Sequence, residues 1–426
     1  MKRFRSGEVD HAEPLQKQAA AKNELSYTYA QVSLRKQKEN LPVFHYKNAL
    51  LFLLEQYRTV VVTGDTGCGK STQIPQYLAN AGWATKGKQG IAITQPHHIA
   101  AVTVAGRVAD EMNTVLGKEV GFSIRFEACY DINTTLIKFM TDGILLNEIM
   151  KDPLLRKYSI IVLDEVHVRS VDTDLCLGLL KKIQRKRPEL RVIVSSATYD
   201  ADKVKRFFDL GSQHDNCATI LHIGGKRPPV DVFYTTNPIP NYIVSMSETI
   251  LKIHYSQGPG DILAFVTGQD EVDDVISNLK MELRKMHPQK CKAKMSLSIL
   301  PLYSRLPMAE QEKVFERTPK HVRKVIVSTT VAETSLTIPG IVYVVDCGFT
   351  KLNIYDPQSG IDSLSVCPAS QASLHQRAGR CGRTRLVIPC DVSCEIFCLT
   401  GFCGKHIVCQ FLHCTLGPMC RGHCPT

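Results

Sequence analysis

The chain has 426 residues, of which 44% are hydrophobic and 22% are charged, and its 52 Lys and Arg exceed its 41 Asp and Glu by 11. This length predicts two or three domains, and this composition excludes a wholly disordered chain, a collagen and a coiled coil. No apolar run reaches the roughly 18 residues of a membrane span, so no membrane association is expected, whereas the positive charge favours a polyanionic partner.

Residues 1–40 are polar and mixed in charge, and they predict an N-terminal extension with little stable structure. No apolar segment follows the basic start, so a secretory signal is not expected. From residue 41, short β-branched runs alternate with helical stretches, which is typical of a doubly wound parallel α/β domain. The predicted strands cover residues 59–63, 90–94, 136–140, 159–163 and 191–195, and two predicted helices cover 71–80 and 100–116.

The same alternation resumes after a loop with two prolines at residues 226–229 (KRPP). Further strands are predicted over residues 261–266, 296–300, 323–328 and 341–345. We therefore predict two tandem α/β domains, residues 41–222 and 223–389.

The composition changes again in the last part of the chain, residues 390–426, which holds eight of the 16 cysteines and only four charged residues. Three interpretations stay open: a zinc site, a disulfide module, and a disordered or non-native end, which we favour. The spacing of its Cys and His residues does not match the paired ligands of strong zinc motifs. The eight cysteines scattered elsewhere are typical of a reducing, intracellular compartment and argue against disulfides. Residues 393–399 are a candidate last strand for the second domain.

Residues 64–71 (GDTGCGKS) match the phosphate-binding pattern G-x-x-x-x-G-K-[ST], between a predicted strand and a predicted helix. Backbone N–H groups of such a loop hold phosphates, Lys70 would contact the β- and γ-phosphates, and the Ser71 hydroxyl would bind Mg²⁺. The candidate nucleotide ligands here are Gly64, Thr66, Gly67, Cys68, Gly69, Lys70, Ser71 and Thr72.

A phosphate loop needs an acidic partner, and the apolar run at residues 159–163 ends at Asp164 and Glu165. We expect Asp164 to face the metal and Glu165 to orient or deprotonate the attacking water. Together with Ser71, these two carboxylates are the candidate metal ligands.

Five segments, in this order, resemble the motifs of the DEAH-box (DExH) branch of superfamily 2 RNA helicases: residues 164–167 (DEVH), 196–198 (SAT), 267–271 (TGQDE), 332–337 (AETSLT) and 376–383 (QRAGRCGR). The resemblance covers residues 41–383 and implies two RecA-like domains with ATP between them. Residues 27–30 (YTYA) and 38–44 (KENLPVF) are most similar to a spliceosome-associated member.

The resemblance also assigns residues to the ATP reaction. It implies that Gln376, Arg380 and Arg383 of the second domain reach the nucleotide, with the two arginines as arginine fingers. His167 would link the water site to the second domain. Arg107 and Phe315 would stack on the two faces of the adenine.

For RNA, the resemblance implies single-stranded binding through the backbone with low sequence preference. The matching positions are Gln95, His97, His98, Thr141 and Thr329, with Ser196 and Thr198 coupling the ATP state to domain movement. Residues 348–366 resemble the family's strand-separating hairpin.

This chain departs from the family in two main ways. His97 and His98 stand where the family has two arginines, so we expect RNA binding to strengthen between pH 7.5 and pH 6. After Arg383 the family's winged-helix, ratchet and OB-like domains have no counterpart here, which implies a C-terminally truncated chain and puts processive unwinding in doubt.

The function expected from these features is an ATP- and Mg²⁺-dependent RNA helicase or RNA-stimulated ATPase in pre-mRNA splicing or other RNA remodelling. We expect a monomer with spliceosomal proteins as candidate partners and a nuclear rather than cytoplasmic location. One alternative is a truncated nucleotide- and RNA-binding regulatory protein without unwinding activity. A second is a phosphate-loop ATPase that acts on a protein or small molecule.

Overall fold

The computed structural model describes residues 35–196, 201–209, 217–225, 230–234, 239–285, 295–316, 318–319, 321–333, 338–381 and 394–398. These residues form two α/β units with separate sheets, joined by contacts between them. The predicted fold class of two tandem doubly wound domains is confirmed.

The first sheet has the strand order β4-β3-β5-β2-β6-β7-β1-β8, and every pair except β3–β4 is parallel. Its strands are β1 (Thr59–Gly64), β2 (Gly90–Gln95), β3 (Val120–Ile124), β4 (Glu127–Cys129), β5 (Ile137–Thr141), β6 (Tyr158–Leu163), β7 (Arg191–Ser196) and β8 (Ala218–Ile223). Its helices are α1 (residues 35–39), α2 (Lys47–Gln56), α3 (Lys70–Asn80), α4 (His98–Met112), α5 (Asp142–Lys151), α6 (Val171–Lys186) and α7 (Ala201–Phe208).

Both faces of this sheet are covered, which explains why the sequences of its central strands are continuously apolar. Val60 and Val62 of β1 point into one core cluster, while Val192 and Val194 of β7 point into the cluster on the opposite face. All six residues of β1 are buried. The β-branched run is therefore explained by burial on both sides of the sheet.

The second sheet is entirely parallel, with the order β11-β12-β10-β13-β16-β9. Its strands are β9 (Val230–Tyr234), β10 (Asp261–Phe265), β11 (Ser296–Leu302), β12 (Val322–Ser328), β13 (Ile341–Asp346) and β16 (Cys394–Cys398). Its helices are α8 (Tyr242–Ser256), α9 (Gln269–Lys285), α10 (Met308–Glu312) and α11 (Gln371–Ala378).

Strand β16 lies between β13 and β9, so residues 394–398 are an interior strand of the second sheet. This position agrees with the last strand expected over residues 393–399. The second sheet thus extends past residue 389, where we placed the end of the domain. The rest of the predicted Cys-rich tail and residues 1–34 of the predicted extension lie outside the described residues.

An antiparallel hairpin of β14 (Phe349–Asp356) and β15 (Ile361–Pro368) projects from the second unit. Several apolar side chains on it are exposed, among them Leu352, Ile354 and Leu364. The hairpin coincides with the segment predicted from residues 348–366.

The two units touch through the start of α4. Ile99 and Ala100 are buried in the same cluster as Leu263, Phe265 and Val344 of the second sheet. Across the described residues, no helix combines the length and apolar character that a bilayer crossing requires.

Candidate nucleotide and RNA site

The candidate site residues of the first unit gather at the carboxyl ends of its parallel strands, where α/β sheets bind ligands. The phosphate loop follows β1, Gln95 ends β2, Thr141 ends β5, Asp164 follows β6 and Ser196 ends β7. Five separate segments of the sequence therefore meet along one edge of the sheet.

The loop of residues 64–69 runs directly into α3. Gly67 and Gly69 have φ of 88° and 98°, a conformation that glycine adopts without the steric cost of a side chain. The Thr66 hydroxyl is buried and has no hydrogen-bond partner. An orphaned hydroxyl inside a glycine-rich loop at a helix N-terminus fits a phosphate ligand.

Lys70 is buried and its ammonium group folds back on the loop. Its Nζ donates to the carbonyl oxygens of Gly64 at 2.6 Å and Asp65 at 3.0 Å. The Cys68 thiol lies 3.7 Å from the same Nζ, and burial raises the pKa of this thiol in spite of the nearby lysine. Lys70 is thus held at the mouth of the loop by neutral carbonyl partners, which an anion can replace. Ser71 and Thr72, which follow it, are both half-buried.

Asp164 lies at the centre of the polar cluster beside the loop. Its Oδ2 accepts a hydrogen bond from the Gln95 amide at 2.7 Å, and the nearby Ser71 hydroxyl acts to lower its pKa. Burial, and then the charge of Glu165, raise the pKa of Asp164. Ser71 and Asp164 together present oxygen ligands at the phosphate loop, which is the protein donor set that Mg²⁺ uses beside a phosphate.

Glu165 has φ of 54°, a left-handed conformation that costs a side-chain-bearing residue about 1–3 kcal/mol. Its backbone N–H donates to the Asp164 carboxylate at 3.0 Å, and its own carboxylate lies 3.4 Å from Nε2 of His167. The turn separates the two acids, so Asp164 faces Ser71 while Glu165 faces His167. The expected place of Glu165 among the metal ligands stays a prediction.

Gln95 has a different environment from the one expected. Its side chain is completely buried and bonded to Asp164, so it lies on the nucleotide side of the sheet edge instead of on a surface open to RNA. This position favours a role in orienting Asp164. Thr141 is also buried, at the start of α5, whereas Thr329 is half-buried at the end of β12.

His97 and His98 begin α4, the helix that reaches the second unit. His98 is exposed and His97 is half-buried. Burial lowers the pKa of His97, although the charges of Glu333 in the second unit and Glu165 in the first act to raise it. A lowered pKa keeps His97 neutral further into the acid range, which limits its part in the expected gain in RNA binding near pH 6.

In the second unit, α11 carries a buried ion-pair cluster. The Arg377 guanidinium donates to Glu333 at 2.9 Å and to Asp346 at 3.0 Å. Burial opposes its charge, but Asp346 and Glu333 outweigh that effect and raise the pKa of Arg377. Arg380 is buried too, and its guanidinium donates to the backbone oxygen of Glu333.

Four other residues are predicted to act in ATP hydrolysis or in its coupling to domain movement, and two of them lie within the described residues. Gln376 is half-buried on α11, and Ser196 is buried at the end of β7. Arg383 and Thr198 lie outside the described residues.

The two residues expected to stack on the base come from different units. Arg107 lies on α4, with a side chain that is 45% exposed, and its Nε donates to Glu111 at 2.7 Å. Phe315 follows α10 and packs partly buried against the cluster that Ile99 and Ala100 share with the second sheet.

Three polar residues that the sequence did not single out have defined roles here. Arg377 joins two acids, Gln184 satisfies backbone groups beside β1, and Glu111 holds Arg107. Most of their partners are distant in sequence. Only Arg107 and Glu111, four residues apart on one helix, have a spacing that predicts a contact.

No group of three or more His, Cys, Asp or Glu side chains suited to a metal ion occurs within the described ranges. The cysteines and histidines weighed as zinc ligands are Cys390, Cys394, Cys398, Cys403, His406, Cys409, His413, Cys414, Cys420, His423 and Cys424. Their side chains lie outside the described part of the chain, so the zinc interpretation stays a prediction.

Two family models match the chain. The model described as "AAA domain" matches residues 48–194, and the one described as "Helicase conserved C-terminal domain" matches residues 245–385. They fall on the first and second units respectively.

Similar proteins extend over most of the chain. It is 56% identical over 360 residues to "Probable ATP-dependent RNA helicase DHX35" of Pongo abelii and 55% identical over 360 residues to the protein of the same name from Homo sapiens. Each alignment covers 84% of this chain and 50% or 51% of the relative. The chain therefore spans about half the length of these relatives.

A solved structure is also similar. The Escherichia coli DEAH/RHA helicase HrpB superposes with a TM-score of 0.72 and 30% sequence identity, over 85% of this chain and 43% of the HrpB chain.

Proposed function

This chain belongs to the DEAH-box (DExH) family of RNA helicases, and from that premise we propose that it hydrolyses ATP in the presence of Mg²⁺ and is stimulated by single-stranded RNA. The observation that carries this proposal is the polar cluster of Lys70, Ser71, Asp164 and Gln95 at the mouth of the phosphate loop. Its unpartnered Thr66 hydroxyl supports nucleotide binding in particular.

Lys70 and the loop amides would bind the β- and γ-phosphates, and Ser71 with Asp164 would hold Mg²⁺. Bound there, the metal would supply positive charge at the phosphate oxygens. Gln95 keeps the Asp164 carboxylate oriented, since its amide occupies one carboxylate oxygen. Burial, and then the charge of Glu165, raise the pKa of Asp164 although Lys70 opposes them, and a cation bound between the carboxylates would relieve both effects.

Glu165 would accept the proton of the attacking water, since it follows Asp164 at the strand end and its carboxylate lies 3.4 Å from Nε2 of His167. Arg380 would move from the Glu333 carbonyl to the γ-phosphate when the two units close on the nucleotide. We assign Arg383 and Gln376 to the same face by resemblance alone.

For RNA, we propose binding through the backbone by Thr141, Thr329, His97 and His98, with Ser196 and Thr198 coupling RNA binding to the nucleotide. Splicing or other RNA remodelling, spliceosomal partner proteins, a monomeric state and a nuclear location are proposals that rest on the subfamily resemblance of residues 27–44.

The test is steady-state ATP hydrolysis with and without single-stranded RNA, for the full chain and for Lys70→Ala. Turnover should rise with RNA, and Lys70→Ala should lower it by about 100-fold or more, because a charged donor to the developing negative charge is lost. The matched control is Lys86→Ala, which removes an exposed lysine of the same unit that pairs with Glu119. It should leave turnover unchanged.

Two results would contradict the proposal. Turnover equal in the wild type and Lys70→Ala would mean that the loop does not carry the hydrolysis. Turnover that depends on Lys70 but ignores RNA would favour an ATPase with a different partner. Unwinding of a duplex with a 3′ overhang then separates a helicase from an RNA-stimulated ATPase.

A further inference from the structure

The Glu111 carboxylate is buried one helical turn beyond Arg107 on α4. Its side chain is 2% exposed, and it accepts hydrogen bonds from three side chains: Arg107 Nε at 2.7 Å, Gln73 Nε2 at 2.7 Å and Gln76 Nε2 at 2.8 Å. A carboxylate this deeply buried is tolerated only when its oxygens are paired. Glu111 therefore joins the half-exposed arginine to a fixed part of the first unit.

The bond to Nε also defines the plane of the Arg107 guanidinium. Because the guanidinium is planar, a hydrogen bond from Nε restricts the orientation of the whole group relative to α4. The terminal Nη2 of Arg107 also donates to Oε1 of Gln37 at 3.4 Å, which restrains the guanidinium plane at a second position. Both faces of the group are left out of these bonds, and a nucleobase stacks on such a face.

Glu111 is connected at the same time to the helix that begins at the phosphate loop. Gln73 and Gln76 lie on the first two turns of α3, which Lys70 opens. The Lys38 ammonium of α1 closes the network, since it donates to Gln76 Oε1 at 2.8 Å and to the Glu111 backbone oxygen at 3.1 Å. The Glu111 carboxylate is thus bonded both to Arg107, the expected contact with the base, and to α3, the helix that begins at the phosphate loop.

We propose that Glu111 is a positioning residue for nucleotide binding: it holds the Arg107 guanidinium ready to stack on the base and sets its position relative to the phosphate loop. This inference rests on the proposed function, which is nucleotide binding at the phosphate loop, and it takes as given the stacking role that the family resemblance implies for Arg107. Preorganising a flexible arginine removes an ordering cost that binding would otherwise have to meet. The ligand recognised is a nucleotide, with its planar base on Arg107 and its phosphates on the phosphate loop.

A purely structural role makes a different prediction. If Glu111 only ties α3 to α4, its loss disturbs the phosphate loop, and every phosphate ligand binds less well whether or not it has a base. A positioning role affects only ligands that carry a base, and only while Arg107 is present.

The experiment measures equilibrium binding of ADP and of ribose 5′-diphosphate, which lacks the base, in Mg²⁺ without RNA. The proteins are the full chain, Glu111→Gln, Arg107→Ala and the double variant. Glu111→Gln should weaken ADP binding by about 3- to 10-fold, the size of one stacking contact, and leave ribose 5′-diphosphate within about 2-fold. In the Arg107→Ala background it should cause no further loss.

Glu119→Gln is the matched control, since it removes a carboxylate of the same unit that pairs with Lys86 at the surface. Melting temperature monitors folding, and Glu111→Asp, which keeps the charge but shortens the reach to Arg107, serves as a second variant with the same expected pattern. Equal weakening of both ligands, or of neither, overturns the inference and leaves the proposed function standing. A full chain that binds neither ligand overturns both.

Discussion

At the scale of single residues, Gly69 shows how closely the phosphate loop packs on the chain before it. Its φ is 98°, and an added Cβ would lie 2.9 Å from Val43 and 3.0 Å from Leu41. Gly82, at the end of α3, has a similar φ of 83°, but an added Cβ there would meet nothing within 4 Å. The two glycines therefore share a backbone requirement and differ in crowding.

This difference makes a paired prediction. Gly82→Ala should lower the free energy of unfolding by about 1 kcal/mol, the cost of a side chain in the left-handed region. Gly69→Ala should cost about 1–3 kcal/mol more, because the methyl group also displaces Val43 and Leu41. Chemical denaturation of both variants measures the difference, and equal losses would show that Val43 and Leu41 yield without cost.

The sequence predicts those site residues that belong to a short, recognisable motif. Lys70, Ser71 and Asp164 come together as expected, because strand ends of a parallel sheet meet at one edge. The bonds of Glu111 to Gln73 and Gln76 and the buried position of Gln95 could not be predicted, since these partners lie 35 to 69 residues away in sequence. Such pairings depend on side-chain direction in the folded state, which spacing along one segment does not contain.

At the scale of secondary structure, the predicted strands agree with the observed ones to within one or two residues, because strands buried on both faces read as unbroken apolar runs. The end of α4 was less accurate: the helix was expected to reach residue 116 and stops at Met112. Asn113 takes φ of 55° there, and asparagine is a known residue for this left-handed helix end. The sequence thus carries a helix stop signal at Asn113.

Helix α11 is attached to the second sheet mainly through Arg377. Its guanidinium bridges Glu333 and Asp346, the last residue of β13, and lies over the Phe265 ring. Arg169 makes an equally well-formed pair with Asp174, at 2.9 and 2.8 Å, but on the surface. The two ion pairs have similar distances and differ in burial, so comparing them isolates the effect of burial on stability.

We expect Arg377→Ala to lower the free energy of unfolding by about 3–5 kcal/mol, because two buried acids lose their counter-ion. Arg169→Ala should cost below about 1 kcal/mol, since water replaces an exposed partner. Denaturant unfolding of the two variants checks this. Comparable losses would mean that water reaches Glu333 and Asp346 once the arginine is gone.

At the scale of the whole molecule, the two units have separate sheets and share one buried cluster at the start of α4, so their unfolding need not be a single transition. His254 provides a way to affect one unit alone. It is buried on α8 of the second unit, with Nδ1 unpartnered, and burial together with the charge of Arg323 lowers its pKa to about 4.

A histidine with a lowered pKa binds fewer protons in the folded state than in the unfolded one, so its contribution to stability falls as pH drops. The window lies between the ordinary value of 6.5 and about 4. Calorimetry of the wild type and His254→Asn across that window should show the second-unit transition of the wild type falling faster with acid. A constant difference between the two proteins at all pH values would contradict this.

The interior position of β16 has a consequence for synthesis of the chain on the ribosome. Among the strands that the structure describes, β9 pairs with β16 alone, and about 160 residues of sequence separate the two. At translation rates of about 5–20 residues per second, β9 would leave the ribosome roughly 10–30 s before its neighbour exists. During that interval its hydrogen-bonding edge has no strand to join, so nascent chains stalled between residues 234 and 394 should be the ones most readily captured by chaperones that bind extended segments.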